Sequence, residues 1–232
     1  MNQNPALTTL SIKTIAIGDA IVQYRVIGDI SAARPVFFLH GWQLSGALSF
    51  EPFFSLFNHD SQVCIVALDL PGFGLNQEMK ALSFPDLLLF CLAFITALGI
   101  VHPLDGIGYS FGGLVLYHLL ERSPDMFRRV VFLTVPLLPF EHTFSHIFST
   151  KAHQSLYQQA SQQLELHTSP LSVSHPVLMV WGTRDTVIPL QVGRRINTAL
   201  PNSRMIVLDG ADHKLYHAPD TLYLPIKQFI LS

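Results

Sequence analysis

A chain of 232 residues with a net charge of −2 and only 13% charged residues is long enough to bury a sizeable core. It carries no basic field to hold nucleic acid. Its two cysteines, Cys64 in a strand-like run and Cys91 in an apolar helix, form neither a disulfide framework nor a metal pattern and suit a reducing, cytoplasmic setting.

Thr9–Ile17 and Ala20–Ile27 alternate apolar and polar residues around Gly18-Asp19, which predicts a hairpin with a two-residue turn. After Pro35, the wholly apolar run Val36–Leu39 reads as a strand buried on both faces. Similar runs follow at Val63–Leu68, Val130–Leu133, Val177–Trp181 and Met205–Leu208, with a weaker, glycine-diluted one at Asp105–Gly108. Helical patterns lie between them, at about Gly46–Phe57, Phe84–Leu98, Phe111–Glu121 and Leu190–Ala199, with a last one near Ala218–Ile230. Apolar strands alternating with helices predict a mostly parallel sheet covered on both sides, in one α/β domain spanning residues 1–232.

The apolar stretch Leu87 to Val101 falls short of the ~20 residues that a spanning helix needs. As a buried helix apolar all round, it predicts that one face meets a second copy of the chain, a membrane surface or a lid. The opening residues carry no positive charge and lead into no long apolar segment, so no secretory signal is expected.

Between Leu137 and Ser174 the alternation breaks. Phe140, Phe144, Ile147 and Phe148 share one helical stripe, and Leu156, Tyr157, Ala160 and Leu164 share another beside a glutamine-rich face. Two such helices form a small lid, residues 137–174, over the carboxyl edge of the sheet, where open α/β sheets bind ligands.

The chemistry gathers at that edge. In Gly108-Tyr109-Ser110-Phe111-Gly112-Gly113 a serine sits at the apex of a strand-to-helix corner, flanked by glycines that admit close backbone approach. Asp185 follows Val177–Trp181, and His213 follows Met205–Leu208. An alcohol is a poor nucleophile near neutral pH, so Ser110 needs a base such as His213, which Asp185 would orient. The backbone N–H of Phe111 is one donor for the oxyanion. His217 competes as the base. Glu141, Asp212 and Asp209 are weaker candidates for the acid. His40 reads as structural, and Asp69 as a brace for the loop Leu70–Gly74. His142 and His146 have metal-ligand spacing but no third ligand nearby, and Arg194-Arg195 reads as a solvated helix face.

Taken together, His40-Gly41-Trp42, Asp69-Leu70-Pro71-Gly72-Phe73-Gly74, the serine corner, Trp181-Gly182-Thr183-Arg184-Asp185 and Gly210-Ala211-Asp212-His213 resemble the motifs of the α/β-hydrolase superfamily in its own order, Ser, Asp, His. His40-Gly41-Trp42 further resembles the small carboxylesterases, among them the pimeloyl-carrier-protein methyl esterase, and the C–C hydrolases. The resemblance implies Ser110, Asp185 and His213 as a catalytic triad, and Trp42 N–H as the second oxyanion donor.

It also implies hydrolysis of small to medium esters without a cofactor or metal, and the side chains of Trp42, Phe111, Leu114, Phe140, Phe144 and Phe148 suggest an apolar acyl pocket of modest size. C–C cleavage, lyase or acyl-transfer chemistry, and a non-catalytic binding role, stay open on the same triad. The chain departs from the resemblance in its short insertion and in Asn76, where many members carry serine.

Overall fold

The computed structural model describes residues 10–30, 34–57, 62–101, 103–138, 151–166 and 173–232. Eight strands form its sheet: β1 (Ser11–Ile17), β2 (Ala20–Ile27), β3 (Arg34–Leu39), β4 (Val63–Leu68), β5 (Leu104–Tyr109), β6 (Phe127–Leu133), β7 (Val177–Gly182) and β8 (Ser203–Leu208). Their spatial order is β1-β2-β4-β3-β5-β6-β7-β8. The expected hairpin pairs Ile17 with Ala20 and joins β4 antiparallel through β2, while every pairing from β4 to β8 is parallel.

Among the described residues, six α-helices cover the sheet: α1 (Glu51–Ser55), α2 (Phe84–Ala97), α3 (Phe111–Arg122), α4 (Lys151–Leu166), α5 (Leu190–Ala199) and α6 (Pro219–Leu231). Alternation along each strand sorts its residues between two cores. Phe37, Leu39, Val66 and Leu68 point to the side of α2, α3 and α5, whereas Val36, Phe38, Ile65 and Ala67 meet the phenylalanines around α1 and the apolar face of α6.

The single helix expected over Gly46–Phe57 is instead a 3-10 turn, Gly46–Phe50, followed by the short α1. Pro52 is the physical reason: inside a continuous helix its ring would meet the carbonyl of the residue four positions back, so it starts a new helix instead. The glycine-diluted run is a strand after all, longer than expected and buried along its whole length. Its glycines are a consequence of packing. A Cβ on Gly106 would lie 2.9 Å from the Leu116 side chain of α3, and one on Gly108 would lie 2.5 Å from the Cα of Gly113.

α2 buries Leu87, Leu88, Cys91, Phe94 and Ile95, and Leu89 is its large apolar residue left exposed. At the start of α2, Phe84 N–H donates to Gln159 Oε1 of α4 at 3.0 Å, satisfying one of the amides that a helix start leaves unpaired. Leu156 and Ala160 of α4 are buried against the domain. The other predicted stripe, Phe140, Phe144, Ile147 and Phe148, lies outside the described residues, as do Glu141, His142 and His146. Among the described residues, no helix is long and apolar enough to cross a membrane.

The tightest approach is where α3 starts. A Cβ on Gly112 would overlap the carbonyl oxygens of Leu39 and His40, which are backbone atoms and cannot swing aside. Gly112→Ala is therefore expected to lower the unfolding free energy by about 3 kcal/mol. Gly18→Ala, in a turn at φ 58 with nothing within 4 Å of the new methyl, should cost only the ~1–2 kcal/mol of a left-handed L residue. Urea titration of the two variants checks the difference, and equal losses would contradict the packing account.

Candidate active site

Ser110 occupies the corner between β5 and α3 at φ 50, ψ −118, a conformation L residues rarely hold. The neighbouring strand fastens it: Ser110 N–H donates to Leu133 O at the end of β6, at 2.9 Å. Ser110 Oγ lies 3.1 Å from His213 Nε2, and His213 Nδ1 lies 2.9 Å from Asp185 Oδ2. The structure thus brings Ser110, Asp185 and His213 into one hydrogen-bonded chain.

The carboxylate is held at both oxygens. Asp185 Oδ1 accepts the backbone N–H groups of Val187 and Ile188, at 2.9 and 2.8 Å. Oδ2 accepts His213 Nδ1–H and the hydroxyl of Thr134. The loop closes because Trp181, fully buried in β7, donates its indole N–H to Ile188 O at 2.8 Å. Two backbone bonds tie this loop to the one that carries the histidine, Thr183 N–H to Leu208 O and Arg184 N–H to Ala211 O. Tyr109 anchors the histidine from below, its hydroxyl donating to His213 O at 3.0 Å. Burial, together with the nearby Tyr216, Asp185 and Asp212, raises the Tyr109 phenol well above its ordinary range, so it stays a neutral donor.

Of the competing residues, His217, Asp212 and Asp209 sit elsewhere. The ring of His217 packs on Tyr216 at 4.8 Å. Asp212 is exposed and accepts Lys214 N–H, and Asp209 is exposed and accepts the Thr183 hydroxyl.

Beneath the loop 40–47 lies a second buried carboxylate. Asp69 pairs with Arg25 and accepts the backbone N–H groups of Ala47 and Leu75, at 2.6 and 2.8 Å. Asn76 completes the brace: its amide donates to Asp69 O and Gln23 O and accepts Gln23 N–H. Asn76 therefore does structural work that a serine in its place could not do alone, since one hydroxyl has one proton to donate. The His40 ring is fully buried between the same loops. Its Nε2 accepts Leu70 N–H at 2.9 Å, leaving Nδ1–H to donate to Gly41 O at 2.6 Å.

Trp42 stands edge-on to Phe111, ring centroids 4.3 Å apart, and also meets Phe73 and His153. His153, from α4, stacks on Phe73 at 4.5 Å, so α4 closes one side of an aromatic wall beside the serine. Leu114 is fully buried within the core behind Phe111. Both cysteines are buried, and burial pushes the Cys64 thiol up to about 12 and raises Cys91 as well, so neither offers a thiolate. Among the described residues, no group of acids, histidines and cysteines could hold a metal ion.

Thr134, Tyr109, Arg25 and His153 are contacts that sequence reasoning did not assign. Arg25 was visible as the one charge in the strand Ala20–Ile27, and Thr134 as a polar residue directly after a wholly apolar run. The other two carried no comparable signal.

Residues 36–164 match the family model described as "Alpha/beta hydrolase family", and residues 142–231 match one described as "TAP-like protein". The chain is 22% identical over 227 residues to a pimeloyl-[acyl-carrier protein] methyl ester esterase of Chromobacterium violaceum, across 77% of this chain and 86% of that protein. The 2-hydroxy-6-oxo-6-phenylhexa-2,4-dienoate hydrolase of Rhodococcus sp. strain RHA1 superposes with a TM-score of 0.76 at 17% identity, covering 97% of this chain and 99% of that one. An esterase from Rhodococcus sp. ECU1013 gives 0.75 at 20% identity, covering 96% and 99%.

Two stability tests follow from the buried polar groups. Asp69→Asn leaves Arg25 buried without its counter-charge and is expected to cost about 3–5 kcal/mol in urea titration; a loss under 1 kcal/mol would deny Asp69 its bracing role. Burial lowers the proton affinity of His40, although Asp69 and the Gly41 carbonyl oppose the effect. The unfolded chain then takes up that proton first. Stability from the neutral ring is complete above pH ~6.5 and declines as pH falls below it, by at most about 1.4 kcal/mol per pH unit for one group. His153, also lowered by burial, adds to the same trend. Urea midpoints from pH 7.5 to 5 should fall faster for the wild type than for His40→Gln, and parallel curves would contradict a neutral His40.

Proposed function

Because the chain belongs to the alpha/beta hydrolase family, we propose that it is a serine hydrolase that cleaves small to medium carboxylic esters through an acyl-enzyme intermediate. The observation that carries this reading is the unbroken chain from Ser110 Oγ through His213 to Asp185, with the serine held at positive φ.

Ser110 Oγ attacks the ester carbonyl carbon as its proton passes to His213 Nε2. Asp185 holds the imidazole with Nδ1 protonated and stabilises the imidazolium. The tetrahedral oxyanion takes hydrogen bonds from the backbone N–H groups of Phe111 and Trp42, each worth roughly 3–4 kcal/mol in the transition state. Phe111 suits this role as the first residue of α3, where an N–H has no acceptor within the helix. The imidazolium returns its proton to the leaving alkoxide, and the alcohol departs. Water then repeats the attack on the acyl-serine, giving its proton to His213, which passes it to Ser110 Oγ as the acyl C–O bond breaks and the carboxylic acid is released.

Trp42 and Phe111, with Leu114 behind them, favour an apolar acyl group. Helix α4, whose His153 closes the aromatic wall, acts as part of a lid over the site. The methyl ester esterase of Chromobacterium violaceum makes a small alkyl ester a natural first substrate to try. The chemistry draws on no cofactor or metal. The cytoplasm is the compartment proposed, since Cys64 and Cys91 are both buried free thiols.

A panel of p-nitrophenyl and methyl esters of rising acyl length tests the reading. Short and medium acyl esters should turn over, a fluorophosphonate probe should add its mass at Ser110, and Ser110→Ala should lose activity by a factor on the order of 10⁴ or more. Turnover by Ser110→Ala near the wild-type rate would remove the serine from the mechanism. Labelling of Ser110 without ester turnover would point to C–C cleavage or acyl transfer, and no labelling at all to a binding protein.

A further inference from the structure

Three consecutive residues at the carboxyl end of β6 touch three different parts of the candidate site. Leu133 O accepts Ser110 N–H. Thr134 donates its hydroxyl to Asp185 Oδ2. Val135 packs so closely on Gly113 that a Cβ there would overlap its side chain. The chain pays a local cost for this: Thr134 sits at φ 46, a region that a β-branched residue scarcely visits. It is also completely buried, and its N–H donates to Val180 O at 3.0 Å. A strained, buried threonine held from both sides, with its one free donor aimed at the carboxylate, is the pattern expected where strain serves function.

We propose that Thr134 is a positioning residue for the acid–base pair, sharing Asp185 Oδ2 with His213 and so setting both where the carboxylate points and how strongly it holds the imidazolium. The proposal rests on the serine-hydrolase reading of the same site. The Asp185 side chain is fully buried, so solvent cannot replace a lost donor. Backbone N–H groups saturate Oδ1, which leaves Oδ2 as the oxygen whose environment can vary. Thr134 Oγ1 lies 3.4 Å from His213 Nδ1, near enough to fix the imidazole's approach to that oxygen.

A hydroxyl suits this place on electrostatic grounds. It withdraws part of the charge on Oδ2 without cancelling it, as a lysine or arginine would. Without the hydroxyl, the whole charge of Oδ2 faces the imidazolium. The base then keeps its proton to higher pH, and the carboxylate loses one of the donors that fix its direction.

The other titratable groups around the pair are Tyr109 from the serine corner and Asp212 and Tyr216 from the histidine loop. Arg184 and Asp209 on the adjoining loops are exposed. Substitution at Thr134 changes none of them.

The test compares wild type with Thr134→Val, which keeps the β-branch and loses the donor, and Thr134→Ser, which keeps the donor. Thr134→Ala takes the place of valine if the latter fails to fold. On a p-nitrophenyl ester, loss of the donor should lower kcat by about 10- to 100-fold, with KM within about twofold and Thr134→Ser within about threefold of wild type. The acid limb of the kcat/KM profile should move to higher pH in the valine or alanine variant and stay in place in the serine variant.

A second readout needs no turnover: the proton between His213 Nδ1 and Asp185, followed by NMR, should shift further downfield when the hydroxyl is lost and return with serine. Equal behaviour of the serine and valine (or alanine) variants in rate, pH limb and proton shift would overturn the proposal. If wild type cleaves no ester, the hydrolase reading fails while the proton shift still decides the role of Thr134.

Discussion

The whole arrangement depends on one contact without spare room: the first turn of α3 resting on the backbone of β3 and β5. Gly112 lies against the carbonyls of Leu39 and His40, and Gly108 lies against Gly113. No side chain fits in those gaps. That absence lets the chain turn from strand to helix within one residue, and the residue at the turn, Ser110, is forced to positive φ. The strain is held in place because both flanking elements are buried and Leu133 fastens the serine amide.

Around this corner, two buried carboxylates organise the loops. Asp185 gathers the end of β6, its own loop and the histidine, and Asp69 gathers β2 and the loops that begin near Ala47 and Leu75. Each takes backbone N–H groups as donors, so each makes loop geometry dependent on a side chain far away in sequence. A buried carboxylate without such donors would be costly, so these loops cannot drift without losing stability. The same saturation fixes the direction of both carboxylates. Aromatic packing adds the remaining wall, with Trp42, Phe73, Phe111 and His153 in edge or stacked contact.

Much of this was legible in advance. Most strands are short apolar runs between turn residues, and Asp185 and His213 each come shortly after such a run, whereas Ser110 follows a glycine-diluted one and was placed at the same sheet edge by its serine-corner motif. The segment 46–57 was misread as one helix because its apolar spacing continues across Pro52, whereas the backbone cannot. The aromatic stripe at Phe140, Phe144 and Phe148 falls outside the described residues.

Local pattern by itself determined the elements, their order, and which serine, aspartate and histidine lie at strand ends, because periodicity and turn chemistry act over a few neighbouring residues. Only the tertiary structure decided who braces them. Arg25 meets Asp69 across 44 positions, Thr134 meets Asp185 across 51, and Tyr109 meets His213 across 104. The pairing itself leaves no local trace, even where one member stands out as Arg25 and Thr134 do, since a buried polar group takes whichever partner the folded sheet presents, and sequence distance has no bearing on that choice.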